Sequence, residues 1–197
     1  MRTQKIIQFP SIVLILVVIT LCGCKKEETY ISHGHLITNG NVESGTLIPN
    51  GWFHTLDQED FNFSWTDLES SSPTKSLSIS TSFGHLNFVT WSQTISNDLP
   101  LGHKLTLKAK IKCNLTGDGV AIVIRGDDTV VPSGVAELFE STQDRFSISG
   151  TNDWHDWAIM SSALSNTIKS ITVFLLYLPA TKGEVYFDDI DLYATYK

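Results

Sequence analysis

The chain has 197 residues, 18% of them charged and 42% hydrophobic, and its formal net charge at pH 7 is −7. An acidic chain of this kind is a poor partner for nucleic acid or anionic lipid, because their phosphate groups repel it. The length allows one domain with a sizeable core in addition to a short leader. We therefore expect no nucleic-acid partner, whereas a divalent cation or a neutral sugar is compatible with the charge.

The first residues have the layout of an export signal. Arg2 and Lys5 give a positive start, and residues 12–21 are almost wholly apolar. This run is shorter than the roughly 20 residues that a helix needs to span a bilayer. Residues 21–24, Leu-Cys-Gly-Cys, resemble the bacterial lipobox, in which the cysteine is acylated and becomes the new N-terminus. The alternatives are a plain signal peptide or an N-terminal membrane anchor, with Cys24 incidental.

The lipobox resemblance predicts a lipoprotein signal peptide over residues 1–23 and a polar tether over 24–35, with the lipid (a palmitate or related acyl chain) on Cys24. The predicted location is the bacterial cell envelope, with the outer membrane favoured over the inner one and the leaflet left open. Cys113 would then have no disulfide partner. Its phase with apolar neighbours predicts a small buried residue rather than a nucleophile.

The remainder, residues 36–197, is predicted to form one all-β domain, a two-sheet β-sandwich. Runs of β-branched and aromatic residues alternate with turn sequences, and helix signals are confined to 135–139 and 162–166, each long enough for one turn. The predicted strands are 34–39, 61–67, 76–81, 87–95, 103–113, 119–125, 145–149, 154–160, 170–177 and 184–195.

The faces of these strands differ. In 103–113, apolar residues alternate with a row of lysines, which predicts one core face and one solvated face. Residues 171–178 are apolar on both faces, and 120–125 are nearly so. A strand without a polar face lies under a loop, a groove wall or a partner.

Carboxylates interrupt the last strand, because Asp188 and Asp189 lie within an otherwise apolar run at 183–192. Burying them is costly unless water, a cation or hydrogen bonds receive them. Far upstream, Glu43 supplies a third carboxylate. A sandwich that brings its first and last strands together would place Glu43 near Asp188 and create a site for a hard cation.

Several motifs together resemble the galactose-binding-like jelly roll of carbohydrate-binding modules of the xylanase and cellulase type. They are Asn-Gly-Asn-Val-Glu at 39–43, Pro-Asn-Gly-Trp at 49–52, Trp-Ser-Gln-Thr-Ile at 91–95, Leu-Pro-Leu-Gly at 99–102 and Gly-Glu-Val-Tyr-Phe-Asp-Asp-Ile at 183–190. The resemblance implies a jelly roll with a structural calcium between the termini, held by Glu43, Asp188 and backbone carbonyls. Asp189 would replace Asp188 if a bulge shifted the strand. The alternative to calcium is that these acids cap turns or meet a lysine.

Sugar recognition requires a flat aromatic ring and polar groups for the hydroxyls. Trp65 and Trp91 are the candidate platforms, and Arg125 with Asp127 is the candidate polar half of a groove. Each has an ordinary alternative, because a tryptophan is as readily buried as exposed. Likewise, Arg125 and Asp127 could form a surface ion pair that contributes little energy.

Catalytic motifs are absent from the sequence: it has no nucleophile elbow, zinc-protease helix or phosphate loop, and its six histidines are dispersed. We therefore predict a non-catalytic envelope lipoprotein that binds a glycan. The rival hypothesis is a structural or protein-interaction sandwich that docks an envelope protein, and the third is a divergent hydrolase. Residues 119–127 and 144–157 also resemble a jelly-roll module appended to bacterial peptidases and esterases, which leaves the ligand open.

Overall fold

A computed structural model describes residues 32–56, 59–132, 134–143 and 145–195. The predicted signal peptide, Cys24 and most of the tether lie outside these residues. The described strands are β1 (Ser32–His33), β2 (Phe53–His54), β3 (Asn62–Thr66), β4 (Ser76–Thr81), β5 (Val89–Ile95), β6 (Lys104–Asp127), β7 (Leu138–Ser141), β8 (Ile148–Ala163), β9 (Ser170–Tyr177) and β10 (Lys182–Thr195). Within these ranges no helix is long and apolar enough to cross a membrane.

The strands form two facing sheets that share β6. The first sheet has the order β3-β4-β10-β6-β8, and β1 adds to the end of β10. The second sheet has the order β2-β5-β9-β6-β7. All the pairings are antiparallel, so each sheet presents one face to the core and one to the outside.

The bend in β6 allows one strand to serve both sheets. Its first part pairs with β10 and β8, and from Val120 onward it pairs with β9. Gly117 and Gly119 lie between the two parts with φ angles of 92° and 85°, which residues with a side chain rarely adopt. A Cβ atom at Gly117 would lie 2.3 Å from the carbonyl oxygen of Ala180. The bend therefore requires glycine.

The main core fills the space between the sheets. Trp52 and Trp91 are the largest of its fully buried side chains. The Trp91 indole N–H donates to the carbonyl of Ser78 at 3.1 Å, which joins β5 of the second sheet to β4 of the first. Apolar residues from alternate positions of the long strands complete the core: Leu105, Leu107, Ile111, Ile122, Ile124, Val173, Leu175, Val185 and Phe187.

The predicted fold class is confirmed, since the described chain is an all-β sandwich. Five local predictions are wrong. The strands predicted at 103–113 and 119–125 are one strand, β6, and those at 145–149 and 154–160 are joined in β8, where register shifts keep the chain paired through irregular stretches. Residues 34–39 form no strand. Neither predicted helical turn is present, because residues 138–139 begin β7 and residues 162–163 end β8.

The lysine row of β6 lies on the outer face of the first sheet, as predicted. Two of its members are paired with acids, since Lys110 Nζ is 3.0 Å from an Asp189 carboxylate oxygen and Lys112 Nζ is 2.9 Å from a Glu69 carboxylate oxygen. Cys113 is 3% exposed on the opposite, core-facing side, which confirms its prediction as a buried residue.

Candidate functional site

Asp188 is a fully buried carboxylate whose oxygens are held by a neighbouring loop. One oxygen accepts hydrogen bonds from the backbone N–H groups of Ser71 at 2.8 Å and Ser72 at 2.7 Å. The other accepts from the Asp189 N–H at 2.7 Å and the Ser72 hydroxyl at 2.9 Å. These bonds replace the water that the carboxylate loses on burial.

Glu43 binds the next residues of the same loop. Its Oε1 accepts from the backbone N–H groups of Thr74 at 3.0 Å and Lys75 at 2.9 Å, and its other oxygen accepts from the Thr74 hydroxyl. The Ser72 hydroxyl, already bonded to Asp188, lies 3.5 Å from Glu43 Oε1. The two acids therefore meet at one hydroxyl, and we call Glu43, Asp188 and residues 71–75 the carboxylate clasp.

A β-bulge separates the roles of the two adjacent acids in β10. The pairing of β10 with β6 shifts register between Asp188 and Asp191, and Asp189 has a φ of 46° within the irregular stretch. Asp189 is therefore turned toward the outer face, where it pairs with Lys110 at 3.0 Å. Asp188 alone faces Glu43.

The two clasp carboxylates respond oppositely to pH. Burial raises the pKa of Asp188 above its usual value, although backbone N–H groups act against the shift. Burial also acts to raise the pKa of Glu43, but its hydrogen bonds outweigh that effect and leave the pKa lowered. Glu43 therefore contributes stability above its unfolded-state pKa, which is lost as the pH falls. For Asp188, whose pKa is raised on folding, the free energy of unfolding decreases as the pH rises above its unfolded-state pKa.

The oxygens at the clasp are of the type that calcium prefers. The Ser72 hydroxyl lies 2.9 Å from Asp188 Oδ1 and 3.3 Å from the backbone carbonyl of Asn41, so carboxylate, hydroxyl and carbonyl oxygens converge. The donor set is small, because no group of three or more His, Cys, Asp or Glu side chains suited to a metal occurs among the described residues. A cation here would replace the hydroxyl contacts, since each carboxylate has only about four acceptor positions.

The outer face of the second sheet combines aromatic and polar side chains, and we call it the second-sheet face. Strand register places one row across all five strands, in the order Phe53, Ser92, Phe174, Val123 and Ser141. A parallel row crosses four strands as Thr94, Thr172, Arg125 and Phe139. Phe53 and Phe139 are 65% and 58% exposed at opposite edges of the sheet.

A small apolar cluster, separate from the main core, supports the middle of the second-sheet face. It consists of Ala121, Val123, Leu176 and Leu178, and Phe174 packs on it half-buried. This arrangement explains why 171–178 is apolar on both faces: one side enters the core and the other underlies an aromatic surface. The ring of Phe174 is thus held on a rigid base.

Arg125 lies on the second-sheet face and is held in place by Asp127. Its Nε donates to Asp127 Oδ2 at 2.9 Å, and its terminal nitrogen donates to Asp127 Oδ1 at 2.7 Å and to the Gly134 carbonyl at 3.1 Å. The hydrogen bond to Asp127 raises the pKa of the guanidinium, although burial acts against it. Asp127 is fully buried, so its predicted role as a ligand contact is wrong. It positions Arg125 instead.

The tryptophans predicted as sugar platforms are not on this face. Trp91 is 2% exposed and points into the core, so its prediction as a platform is wrong. Trp65 lies on β3 of the first sheet, where its N–H donates to the Val42 carbonyl at 2.6 Å. The Lys75 ammonium stands 4.9 Å from the centre of its ring. Trp65 and Arg125 therefore do not share a groove.

The exposed aromatic residues of the second-sheet face are phenylalanines, which sequence reasoning missed. The two-sided apolar pattern of 171–178 was the available signal for Phe174. Phe53 and Phe139 had no such signal, because β2 and β7 are only two and four residues long and are too short to show an alternation pattern.

No protein-family model matches the chain, and no curated protein is a match for it. Solved structures do match. A putative sugar binding protein from Bacteroides thetaiotaomicron aligns with a TM-score of 0.58 at 14% identity, over 82% of this chain and 100% of that one. The module TmCBM61, in complex with β-1,4-galactotriose, aligns with a TM-score of 0.52 at 15% identity, over 82% and 99%.

A third match is to the CBM22-1 and GH10 modules of a Clostridium thermocellum xylanase complexed with xylohexaose. Its TM-score is 0.52 at 15% identity, over 84% of this chain and 28% of the xylanase chain. The fold is shared with carbohydrate-binding modules. At these identities the likeness is one of fold, a jelly-roll sandwich, as the sequence motifs predicted.

The clasp yields a prediction about stability. Glu43→Ala would leave the N–H groups of Thr74 and Lys75 without their acceptor, and we expect the free energy of unfolding to fall by about 1–3 kcal/mol. Urea unfolding followed by tryptophan fluorescence measures the change. Glu59→Ala, an exposed change outside the clasp, is the control and should alter stability by less than about 0.5 kcal/mol. Equal effects of the two substitutions would contradict a stabilising role for the clasp.

Proposed function

We propose that this protein binds carbohydrate on the second-sheet face and carries out no reaction of its own. The observation that carries the proposal is the half-buried Phe174 at the centre of that face, with Ser92 on the next strand and Ser141 beyond the buried Val123 on the other side. An aromatic ring can cover the apolar side of a pyranose, and neighbouring polar groups can bond its hydroxyls. Both requirements are met within one row of side chains.

The charge of the face favours an uncharged sugar. Arg125 is its principal cation, and the buried carboxylate of Asp127 neutralises it at 2.7–3.1 Å. The guanidinium nevertheless keeps donor capacity, since Asp127 and Gly134 use only some of its five N–H groups. Arg125 therefore offers hydrogen bonds to hydroxyls without creating a strongly positive surface.

The spacing of the aromatic residues favours an extended chain rather than a single sugar. Neighbouring strands lie about 4.8 Å apart, so Phe53 and Phe174, two strands apart in one row, are separated by about 10 Å. Phe139 lies two strands further on, in the next row. An oligosaccharide running across the strands would pass all three rings.

The structural neighbours support this proposal through their own ligands. The xylanase modules were solved with xylohexaose and TmCBM61 with β-1,4-galactotriose, both neutral oligosaccharides. The shared fold provides the same kind of sheet, and the side chains above supply the contacts in this chain.

A protein-interaction function is the second candidate, and one observation favours it. The loop between β6 and β7 exposes Val130 by 59%, Val131 by 74% and Val135 by 95%, beside the same face. Exposed aliphatic residues grouped on a loop are typical of surfaces that contact another protein. This candidate takes precedence if no glycan binds.

Removing the central ring tests the carbohydrate proposal. We expect Phe174→Ala to weaken binding of a neutral oligosaccharide about tenfold, the effect of losing about 1.4 kcal/mol of stacking and contact. Xylohexaose and β-1,4-galactotriose are suitable first probes, measured by titration calorimetry on chain purified in a detergent without a sugar headgroup. Phe53→Ala is a second variant, because its ring is exposed and adds little to the core.

Met160→Ala is the control, since this side chain is 51% exposed on β8 of the first sheet. It should bind like the unmodified chain. Unchanged affinity in both phenylalanine variants would remove the second-sheet face from the proposal.

We also propose that the clasp binds one structural calcium ion through Glu43, Asp188 and the Asn41 carbonyl. The convergence of these oxygens on one hydroxyl supports it. Calcium at about a hundred times its Kd should raise the melting temperature by about 5–10 °C relative to EDTA. Glu43→Gln, which removes a charge but little volume, should abolish the shift, and magnesium should not reproduce it. Identical melting curves in calcium and in EDTA would show that the clasp functions without metal.

The sequence at 21–24 supports a further proposal, that Cys24 carries lipid and anchors the domain to the cell envelope. Cells expressing the full chain should incorporate labelled palmitate into it and retain it with the membranes. Cys24→Ala should lose the label, whereas Cys113→Ala should keep it. Label retained in Cys24→Ala would show that this cysteine is not acylated.

A further inference from the structure

The outer face of the first sheet carries a continuous row of polar side chains across five strands. Strand register gives its order as Asn62, Ser80, Glu184, Asn114 and Thr151. Because the sandwich has two outer faces, this row lies on the opposite side of the domain from the second-sheet face. It is therefore independent of the site proposed above.

Two adjoining clefts follow this row, and we call them together the first-sheet groove. The larger, of about 670 Å³, is lined by Asn62, Ser80, Asn114 and Glu184 together with loop residues. The smaller, of about 370 Å³, continues past Asn114 and Glu184 to Thr151. The two shared residues make the groove continuous across the sheet.

The side chains of the groove have hydrogen-bonding capacity left for a ligand. Within the described residues, Asn62 and Ser80 make no side-chain hydrogen bond, and Asn62 is exposed. The side-chain amide oxygen of Asn114 accepts from the Thr151 hydroxyl at 2.9 Å, which leaves the NH₂ group of the same amide to donate. Burial, and after it the neighbouring Glu184 carboxylate, raise the pKa of the Tyr186 hydroxyl, and the oxygens of Glu184 keep acceptor positions for a ligand.

Charge and shape restrict what the groove can take. Glu59, Asp60 and Glu184 line the larger cleft, and no described lysine or arginine does. In the smaller cleft Lys112 is already paired with Glu69 at 2.9 Å and with Asp153 at 3.6 Å. An acidic ligand would therefore be repelled.

An aromatic ring completes the larger cleft. Phe83, in the loop after β4, is 63% exposed at its rim. Planar amides and carboxylates pair well with neighbouring hydroxyls, and an exposed ring can cover the apolar side of a sugar.

We propose that the first-sheet groove is a second saccharide site, specific for hydroxyl-rich sugars that carry no acidic group. With sites on both outer faces, one domain can hold two glycan strands, or two parts of one polymer. Binding to a polysaccharide is then strengthened because the second contact forms at high effective concentration.

The test compares variants of the two faces on the full chain in a detergent without a sugar headgroup. The groove variant is Asn62→Ala with Asn114→Ala, both exposed positions, and the face variant is Phe174→Ala. Each is titrated with neutral oligosaccharides, including xylohexaose and β-1,4-galactotriose, and with a uronic acid oligosaccharide. Hydrogen exchange with mass spectrometry then locates the protection that each ligand produces.

We expect a neutral oligosaccharide to protect peptides covering 62–66, 78–83 and 112–116, and the groove variant to lose that protection with an affinity loss of about tenfold. The face variant should keep it, and the uronic acid probe should produce none. Protection confined to β5, β9 and the end of β6 would overturn the groove while leaving the proposed function intact. Binding that survives Phe174→Ala but is lost in the groove variant would support the groove and overturn the proposed site on the second-sheet face. A chain that binds none of the probes overturns both.

Discussion

The structure depends on one strand taking part in two sheets. β6 runs from Lys104 to Asp127 and bends at Gly117 and Gly119, where backbone carbonyls leave no room for a side chain. The pairing of β6 with β8 shifts register between Leu115 and Val120. Gly119 nevertheless stays bonded to the turn between β9 and β10, because its N–H donates to the Thr181 hydroxyl at 2.8 Å. The same strand contributes Asn114 to the first-sheet groove and Arg125 to the second-sheet face. The relative placement of the two surfaces is therefore set by backbone geometry.

The carboxylate clasp closes the sandwich where the beginning and the end of the domain meet. Asp188 is buried within a strand that the fold needs, and a buried carboxylate is tolerated only when its oxygens are satisfied. Backbone N–H groups of the loop after β3 provide this, and Glu43 secures the same loop from the other side. A polar interaction thus attaches the first described turns to the last strand. Calcium, where bound, would strengthen a connection that hydrogen bonds already make.

Alternation along single strands could be predicted from the sequence, and pairing between strands could not. The lysine row, on the face opposite Leu105 and Leu107, follows from period-two alternation alone, so the prediction for that part of β6 was correct. The convergence of Glu43 and Asp188 followed from motifs at the two ends of the domain. The bend in β6 was missed because a Gly-rich segment is typical of a turn between two strands as well as of a bend within one.

The choice of aromatic platforms shows most clearly what could not be predicted from the sequence alone. Size and chemistry favoured Trp91, but its neighbours in β5 and the carbonyl of Ser78 place its indole in the core, where so large a ring is most stabilising. Phe174 reached the outer face because its strand is central, and a central strand with two apolar sides must cover something on each. The useful signal was therefore the loss of alternation in β9 rather than the identity of any residue. Once β9 is placed between β5 and β6, the register brings Ser92 and Arg125 to the same surface, which is the surface proposed above for sugar binding.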